Sequence, residues 1–175
     1  TETVKVIDWN SSTPDRNEYL AVQQLWILSR NGLYKRRADI VLFINGLPLG
    51  FIELKASHKN VENAYKNNFL DYKDTIPHIF WYNAFVILSN GRYSRIGTVT
   101  GTWEHFHEWK RISDENEAGR ISLETILLGT CERSRFLDLV ENFILFQRSS
   151  GGLIKILARN HQFLGVNNAI QGHRL

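Results

Sequence analysis

Between Arg37 and Lys55 the chain carries two apolar runs, Ile40 to Ile44 and Leu47 to Leu54, joined by Asn45-Gly46. Asn-Gly between apolar runs is the strongest short-range signal for a β-hairpin. Side chains alternate along a strand. Asp39, Val41 and Phe43 therefore share one face, and Ile40, Leu42 and Ile44 the other. Leu49, Phe51, Glu53 and Lys55 point one way in the second strand, and Gly50, Ile52 and Leu54 the other. With both faces apolar, the pair belongs inside a sheet covered on both sides. Three charges interrupt it: Asp39 at the start, Glu53 and Lys55 at the end.

Register decides whether those charges meet. Asp39 faces Glu53 only if paired residue numbers add to 92, whereas a two-residue Asn45-Gly46 turn pairs Ile44 with Leu47 and gives 91. A slip of one residue would put the carboxylates on opposite faces. The expectation is an odd loop, such as Asn45 to Leu47, or a β-bulge.

Around this hairpin, Thr3 to Trp9 alternates and reads as a short strand, and Asn10 to Asn17 as a polar loop. Tyr19 to Leu28 reads as a helix near Glu18 giving way to a strand through Trp26 and Ile27, and Ser29 to Lys35 as a turn. Val61, Tyr65, Asn68, Phe69, Tyr72 and Ile76 recur at steps of three and four, which predicts a helix ending before Pro77. Ala84 to Leu88 reads as a buried strand, Ser89 to Arg92 as a second hairpin turn, and Tyr93 to Val99 as its return strand. Trp103, Phe106 and Trp109 form an aromatic group in the core or over it. His105 and His107 alternate beside it; with no third ligand evident, packing is the better reading than zinc. Ile112 to Gly119 is charged and loop-like, Leu123 to Leu128 a short helix stopped by Gly129, and Ser134 to Phe146 a longer one buried through Leu137, Val140, Phe143 and Ile144. Ser149 to Gly152 reads as a linker, followed by a helix from about Leu153 carrying Ile156, Leu157, His161 and Leu164. The expected class is α/β with a mixed central sheet flanked by helices.

Composition narrows the class. At 43% apolar and 22% charged, the 175 residues suit a soluble globular chain. No apolar run approaches the roughly 18–20 residues of a membrane span, and no secretory signal is visible. The single cysteine, Cys131, excludes an internal disulfide and a cysteine-built zinc site. These features lead to the expectation of a cytoplasmic protein; the absence of methionine marks a trimmed chain or a fragment. The net charge of +3 is compatible with a nucleic-acid partner and does not require one.

Two carboxylates at one end of a hairpin repel unless a positive group lies between them. Mg²⁺ suits two carboxylates completed by water and phosphate oxygens. A lysine on the same face adds an ammonium that can reach water or a scissile phosphate. These are the parts of metal-dependent phosphodiester hydrolysis. The plainer alternative is a set of strand-end ion pairs, Asp39 and Glu53 with Arg37 and Lys55.

Asp39 followed after fourteen steps by Glu53-Leu54-Lys55 resembles the PD-(D/E)xK nuclease motif. The stretch Arg36 to Lys55, with Tyr72 to Pro77, Phe80 to Asn83, Leu88 to Gly91, Asn17 to Tyr19, Gln23 and Val4 to Trp9, resembles the N-terminal nuclease domain of the restriction (HsdR) subunits of type I restriction–modification enzymes. The resemblance implies a restriction-endonuclease-like fold in which Asp39, Glu53 and the Leu54 carbonyl bind Mg²⁺ and Lys55 positions or activates the attacking water. It also implies that Asn68 and Tyr72 stand for a Gln-x-x-x-Tyr pair on the next helix, the shorter asparagine being a departure. Ala38 replaces the usual proline, and Glu18 is an extra acidic candidate. Lys155 to Phe163 resembles the segment before the helicase motor of these subunits, where Gln162 would read the adenine of ATP. No phosphate-loop motif follows, so ATP use would belong to the full-length subunit. The implied division is a nuclease domain over 1–147 and, over 148–175, a linker and the start of a truncated motor.

The resemblance implies a sequence-nonspecific double-stranded DNA endonuclease, working after ATP-driven translocation beside methyltransferase and specificity subunits and with no membrane. The alternatives are a non-catalytic docking module and a stand-alone DNA repair or end-processing nuclease of the same fold.

Overall fold

The computed structural model describes residues 4–114, 117 and 121–172. Five strands form one mixed sheet in simple sequence order: β1 (Tyr19–Leu28), β2 (Lys35–Ile44), β3 (Leu47–Leu54), β4 (Phe85–Ser89) and β5 (Ser94–Gly97). All neighbours are antiparallel except β3 and β4, which run parallel. A parallel pair needs a long crossover. Here it contains a π-helical segment, Ala64–Phe69, that runs straight into α1, Leu70–Thr75.

This helix covers one face of the sheet. Val41, Phe51, Val86 and Leu88 pack there against Tyr65, Phe69, Tyr72 and Phe106. The opposite face, with Ile44, Ile52, Phe85, Ile87 and Ile96, packs against α2 (Ser122–Thr130), α3 (Arg133–Asn142) and α4 (Asn160–Gly172). The result is a three-layer α/β/α arrangement, as the two apolar faces of the hairpin require. The aromatic group is split between layers: Phe106 lies in the first core and Trp109 in the second.

The turn and the register both follow from local chemistry. Asn45 and Gly46 have φ of 49° and 81°, so the loop is the two-residue type that Asn-Gly favours. The even register comes from a bulge instead of an odd loop. Phe43 pairs with Pro48, and Leu42 with Gly50, leaving Leu49 without a partner on β2. Proline cannot donate to the ladder, which suits a bulge beside it. The Leu49 carbonyl turns to β4's entry instead, accepting from Ala84 N at 2.7 Å and Asn83 Nδ2 at 3.2 Å. Beyond the bulge the paired numbers add to 92, as in Ile40 with Ile52.

Several segment readings are corrected. Residues 4–9 are irregular, not a strand, and Tyr19 onward is strand with no helix at Glu18. Gly129 does not stop α2 but lies within it, where a Cβ would come within 2.3 Å of Trp109 Nε1. The helix expected to Phe146 ends at Asn142, and β6 (Ile144–Ser149) and β7 (Gly152–Leu157) form a separate hairpin. Ser149 to Gly152 is therefore the tip of that hairpin, with Gly152 at φ 117°, and the last helix starts at Asn160 instead of Leu153. Short apolar runs suit helix and strand alike, and the Ser-Gly tip was the only signal separating them. Part of the expected loop Ile112 to Gly119 lies outside the described residues. Phe163 and Leu164 of α4 are buried in the second core, Phe163 being 4.6 Å from Phe143 and 5.4 Å from Trp109 between ring centres.

Candidate active site

The site lies where β2 leaves β3. Their ladder stops at Ile40 and Ile52, and the next residues on that register are Asp39 and Glu53. The Asp39 carboxylate takes over the contact: its Oδ2 accepts the Leu54 N–H at 2.8 Å. Its Oδ1 accepts from Gln24 Nε2 at a long 3.4 Å. Glu53 points inward on the helix-covered face and is 2% exposed. Its Oε1 is 3.1 Å from Lys55 Nζ. Its Oε2 is buried with no hydrogen-bond partner. Burial first, and then the Asp39 charge, push the Glu53 carboxyl up to about 7, with Lys55 opposing both. Buried, with one oxygen on Lys55 and the other unpartnered, the ionised carboxylate favours a further cation beside it.

Asn68 and Tyr72 reach the same end of the sheet from the crossover helix. Asn68 Nδ2 donates to the Tyr72 hydroxyl at 3.5 Å, the limit of a hydrogen bond. The Tyr72 hydroxyl donates to the Arg37 carbonyl at 3.2 Å. Burial foremost raises the Tyr72 phenol to about 12; Asn68 works the other way, and the charges of Glu53 and Asp39 reinforce the rise. Tyr72 is thus a neutral strut on β2 two residues before Asp39. The π winding just before α1 shifts helix phase and helps set this approach, as such segments do at functional sites. Arg36 and Asp71 clamp the same helix to β2 through paired bonds of 2.5 and 2.9 Å.

The structure brings together Asp39, Glu53, Lys55, Asn68 and Tyr72. Glu18 stands apart: its strand neighbour Tyr19 pairs with Ile44 at the turn end, roughly 17 Å of strand from Asp39. Gln162 is also elsewhere, its Oε1 accepting the Arg159 N–H at 2.8 Å in the first turn of α4. That is half of a capping box. Sequence reasoning missed Gln24. It sits opposite Asp39, outside the β1–β2 ladder, with φ of 53°, a conformation that glutamine rarely adopts. Gln23, Gln24, Asp39, Ile40, Leu54 and Lys55 line an open cavity of about 380 Å³. A glutamine in a strand carries no mark of unusual backbone, so only its position opposite Asp39 could have drawn notice.

The donor set fits a hard divalent cation. Among the described residues no group of three or more His, Cys, Asp or Glu side chains converges anywhere. Two carboxylates and the carbonyl of Leu54 would leave the remaining positions to water and phosphate, which is how Mg²⁺ is usually held. The orphaned Glu53 Oε2 is the atom that such an ion would satisfy.

Residues 1–105, which include every one of these groups, match the family described as type I restriction enzyme R protein N terminus. The chain is 36% identical to the type I restriction enzyme HindI endonuclease subunit of Haemophilus influenzae, an alignment covering 97% of this chain and 16% of that protein. It is 27% identical to a Methanocaldococcus jannaschii protein provisionally named as the type I restriction enzyme MjaIXP endonuclease subunit, over 97% of this chain and 18% of the relative. The chain thus spans less than a fifth of the length of these relatives. With a match over more than half of its residues and a mixed-sheet core to go with it, the chain belongs to the family of type I restriction enzyme R protein N-terminal domains.

Proposed function

We propose that this chain is the Mg²⁺-dependent endonuclease domain of a type I restriction subunit, cutting double-stranded DNA without reading its sequence. The observation that carries the reading is the buried Glu53 carboxylate, whose Oε1 meets Lys55, whose Oε2 is unpartnered and which feels the Asp39 charge. Asp39, Glu53 and the Leu54 carbonyl would hold Mg²⁺. When bound, the ion supplies positive charge that stabilises the phosphoryl transition state and acidifies water.

The chain's own groups do the rest. Lys55 Nζ, restrained by Glu53, orients the attacking water and faces the phosphate charge. Tyr72 and Asn68 hold β2 through the Arg37 carbonyl and so fix Asp39 against Leu54. They are positioning residues. Gln24 narrows the freedom of the Asp39 carboxylate from the other side.

The wider setting is part of the same proposal. The name of the Haemophilus relative points to a restriction complex, and on that reading methyltransferase and specificity subunits choose the DNA while an ATP-driven motor in the same subunit delivers it. Residues 148–175 would begin that motor, with Gln162 released from its capping bond to read adenine. The cytoplasm is the compartment in which such a complex works.

The test is nicking of supercoiled plasmid by the subunit in its restriction complex, with ATP and Mg²⁺. Asp39→Ala and Lys55→Ala should abolish cutting while ATP hydrolysis persists. Undiminished cutting by either variant would refute the assignment and leave a docking module as the better account.

A further inference from the structure

Two open cavities lie beyond the carboxylates, the second reaching round the β5 edge to the start of α4. One, of about 630 Å³, runs from Ser57 to Glu62 past Asn90, Arg92, Tyr93, Arg95 and Trp103. The other, of about 510 Å³, is bounded by Arg95, His107, Lys110, Arg111, Arg159 and His161, among others. They share Arg95 and Glu108, so they form one groove. Its near end begins two residues after Lys55, whose N–H bonds the Ser89 carbonyl while Asn90 Nδ2 bonds the Lys59 carbonyl.

The sheet ties this groove to the candidate active site. Glu53 pairs with Leu88, and Leu88 with Arg95. Residues directly opposite in a ladder project from one face. Arg95 thus stands in the same row as Glu53, two strand spacings or about 10 Å away. That is about three base-pair rises of 3.4 Å.

The charge of the groove is one-sided. Lys59, Arg92, Arg95, Lys110, Arg111 and Arg159 line it against two carboxylates, Glu62 and Glu108. Glu62 is paired with Lys66 at 2.9 Å, and Glu108 lies 3.9 Å from Lys110. The whole chain carries only +3, so the groove holds more than the entire surplus. The far end is preorganised. Buried Asn160 accepts the N–H groups of Lys110 and Arg111 and donates to the Arg111 carbonyl, seating both cations beside Arg159. Arg95 is held over the Trp103 ring at 4.7 Å and donates to the Phe106 carbonyl. Burial first, and then the Arg159 charge, lower the His107 imidazole below its ordinary value.

We propose that this groove is a phosphate-binding track for double-stranded DNA, running from Lys55 across the β5 edge to the start of α4. It holds the duplex backbone on one side of the cut and reads no bases. The proposal rests on the nuclease reading for its purpose, since the track leads to Glu53. Its chemistry does not depend on cleavage. A long, open, shallow groove with spaced cations and exposed Tyr93 suits a polyanion better than a single small anion.

The experiment measures binding of the 175-residue chain to a fluorescent duplex of about 20 base pairs in EDTA, across a series of salt concentrations. The triple variant Arg92→Glu, Lys110→Glu, Arg159→Glu alters exposed side chains. It should weaken binding at least tenfold and lower the salt slope by roughly 2–3, near 0.9 per lost phosphate contact. Three reversals elsewhere, Lys5→Glu, Arg30→Glu and Arg148→Glu, should leave a clearly steeper slope than the groove triple. Asp39→Ala should bind like the unaltered chain, so retained binding with undiminished cutting by that variant would count against the nuclease reading alone. Equal weakening by both triples, or no duplex binding at all, would overturn the track. So would displacement of the duplex by millimolar ATP with the same residues required for ATP binding, which would make the cations a nucleotide site.

Discussion

The two ends of the β2–β3 hairpin are built on opposite terms. At the turn end, Asn45 accepts the Glu18 N–H at Oδ1 at 2.7 Å and donates from Nδ2 to the Val6 carbonyl and Asn17 Oδ1, each at 2.8 Å. Its positive φ suits asparagine, and Gly46 completes the turn. At the open end, Glu53 is buried with an unpartnered oxygen, and Gln24 is held at φ 53° beside Asp39. The turn end ties three chain segments together and lowers the free energy of the fold. The open end raises it. Strain and unmet polarity gathered at one end of a strand pair mark where selection favoured something other than stability.

Substitutions can break this comparison. The largest effect is expected on cutting. Asp39→Ala or Glu53→Gln should reduce plasmid cleavage by roughly 10³-fold or more, equivalent to about 4 kcal/mol of transition-state stabilisation. Comparable cleavage by either would mean that the open end is structural.

Next comes Asn45→Ala at the turn. It removes three hydrogen bonds and leaves alanine at positive φ, so the folded state should lose about 2–4 kcal/mol in a denaturant titration. Cutting per folded molecule should be little changed.

Glu53→Gln should act in the reverse direction on the metal-free protein. The folded carboxyl lies near 7, above its ordinary 4.5. The folded state therefore binds more protons than the unfolded state between those values. Stability from this group is fully present below about pH 4.5 and is lost as pH rises through 7. At pH 8 the penalty is about 3 kcal/mol, so in EDTA the glutamine variant should be the more stable by about 2–3 kcal/mol, and the gap should close towards pH 5. Added Mg²⁺ should stabilise the unaltered chain at pH 8 and not the variant. Equal unfolding midpoints at pH 8 would show that Glu53 is not a strained ionised group.

The smallest change is Gln24→Gly, which relieves the left-handed backbone at the cost of one long hydrogen bond. A gain of up to about 1 kcal/mol in thermal or chemical unfolding is expected, with slower cutting. Loss of stability would place Gln24 with the supportive turn end instead.

Much of the site could be read from residues alone because it is local. Asp39, Glu53 and Lys55 sit on two adjacent strands, and period-two alternation with one register rule is enough to bring them together. Helical spacing put Asn68 and Tyr72 on one face, four residues apart, while their place at the site came from the family resemblance. The choice between an odd loop and a bulge stayed open, because Pro48 favours irregularity without saying which kind; the bonds to the Leu49 carbonyl from Asn83 and Ala84, over thirty residues away, settle it. Residues 144–146 and 153–157 were misread as helix for a related reason. Their apolar pattern suits either state, and only pairing of Ile144 with Leu157 and the ties of Thr98 and Thr100 to Lys155 select the strand. Gly129 misled in the same way, as a helix stop by composition and a contact with Trp109 in space.

By itself, then, the amino-acid sequence determined a twice-covered apolar hairpin, the face shared by Glu53 and Lys55, and the helix that follows, since each depends on alternation or periodicity within a few neighbouring residues. Tertiary structure alone decided the bulge, the left-handed Gln24, the unsatisfied oxygen of Glu53 and the cationic groove from Lys59 to Arg159. Those depend on desolvation and on partners distant in the chain, and neither quantity is defined until the sheet has closed.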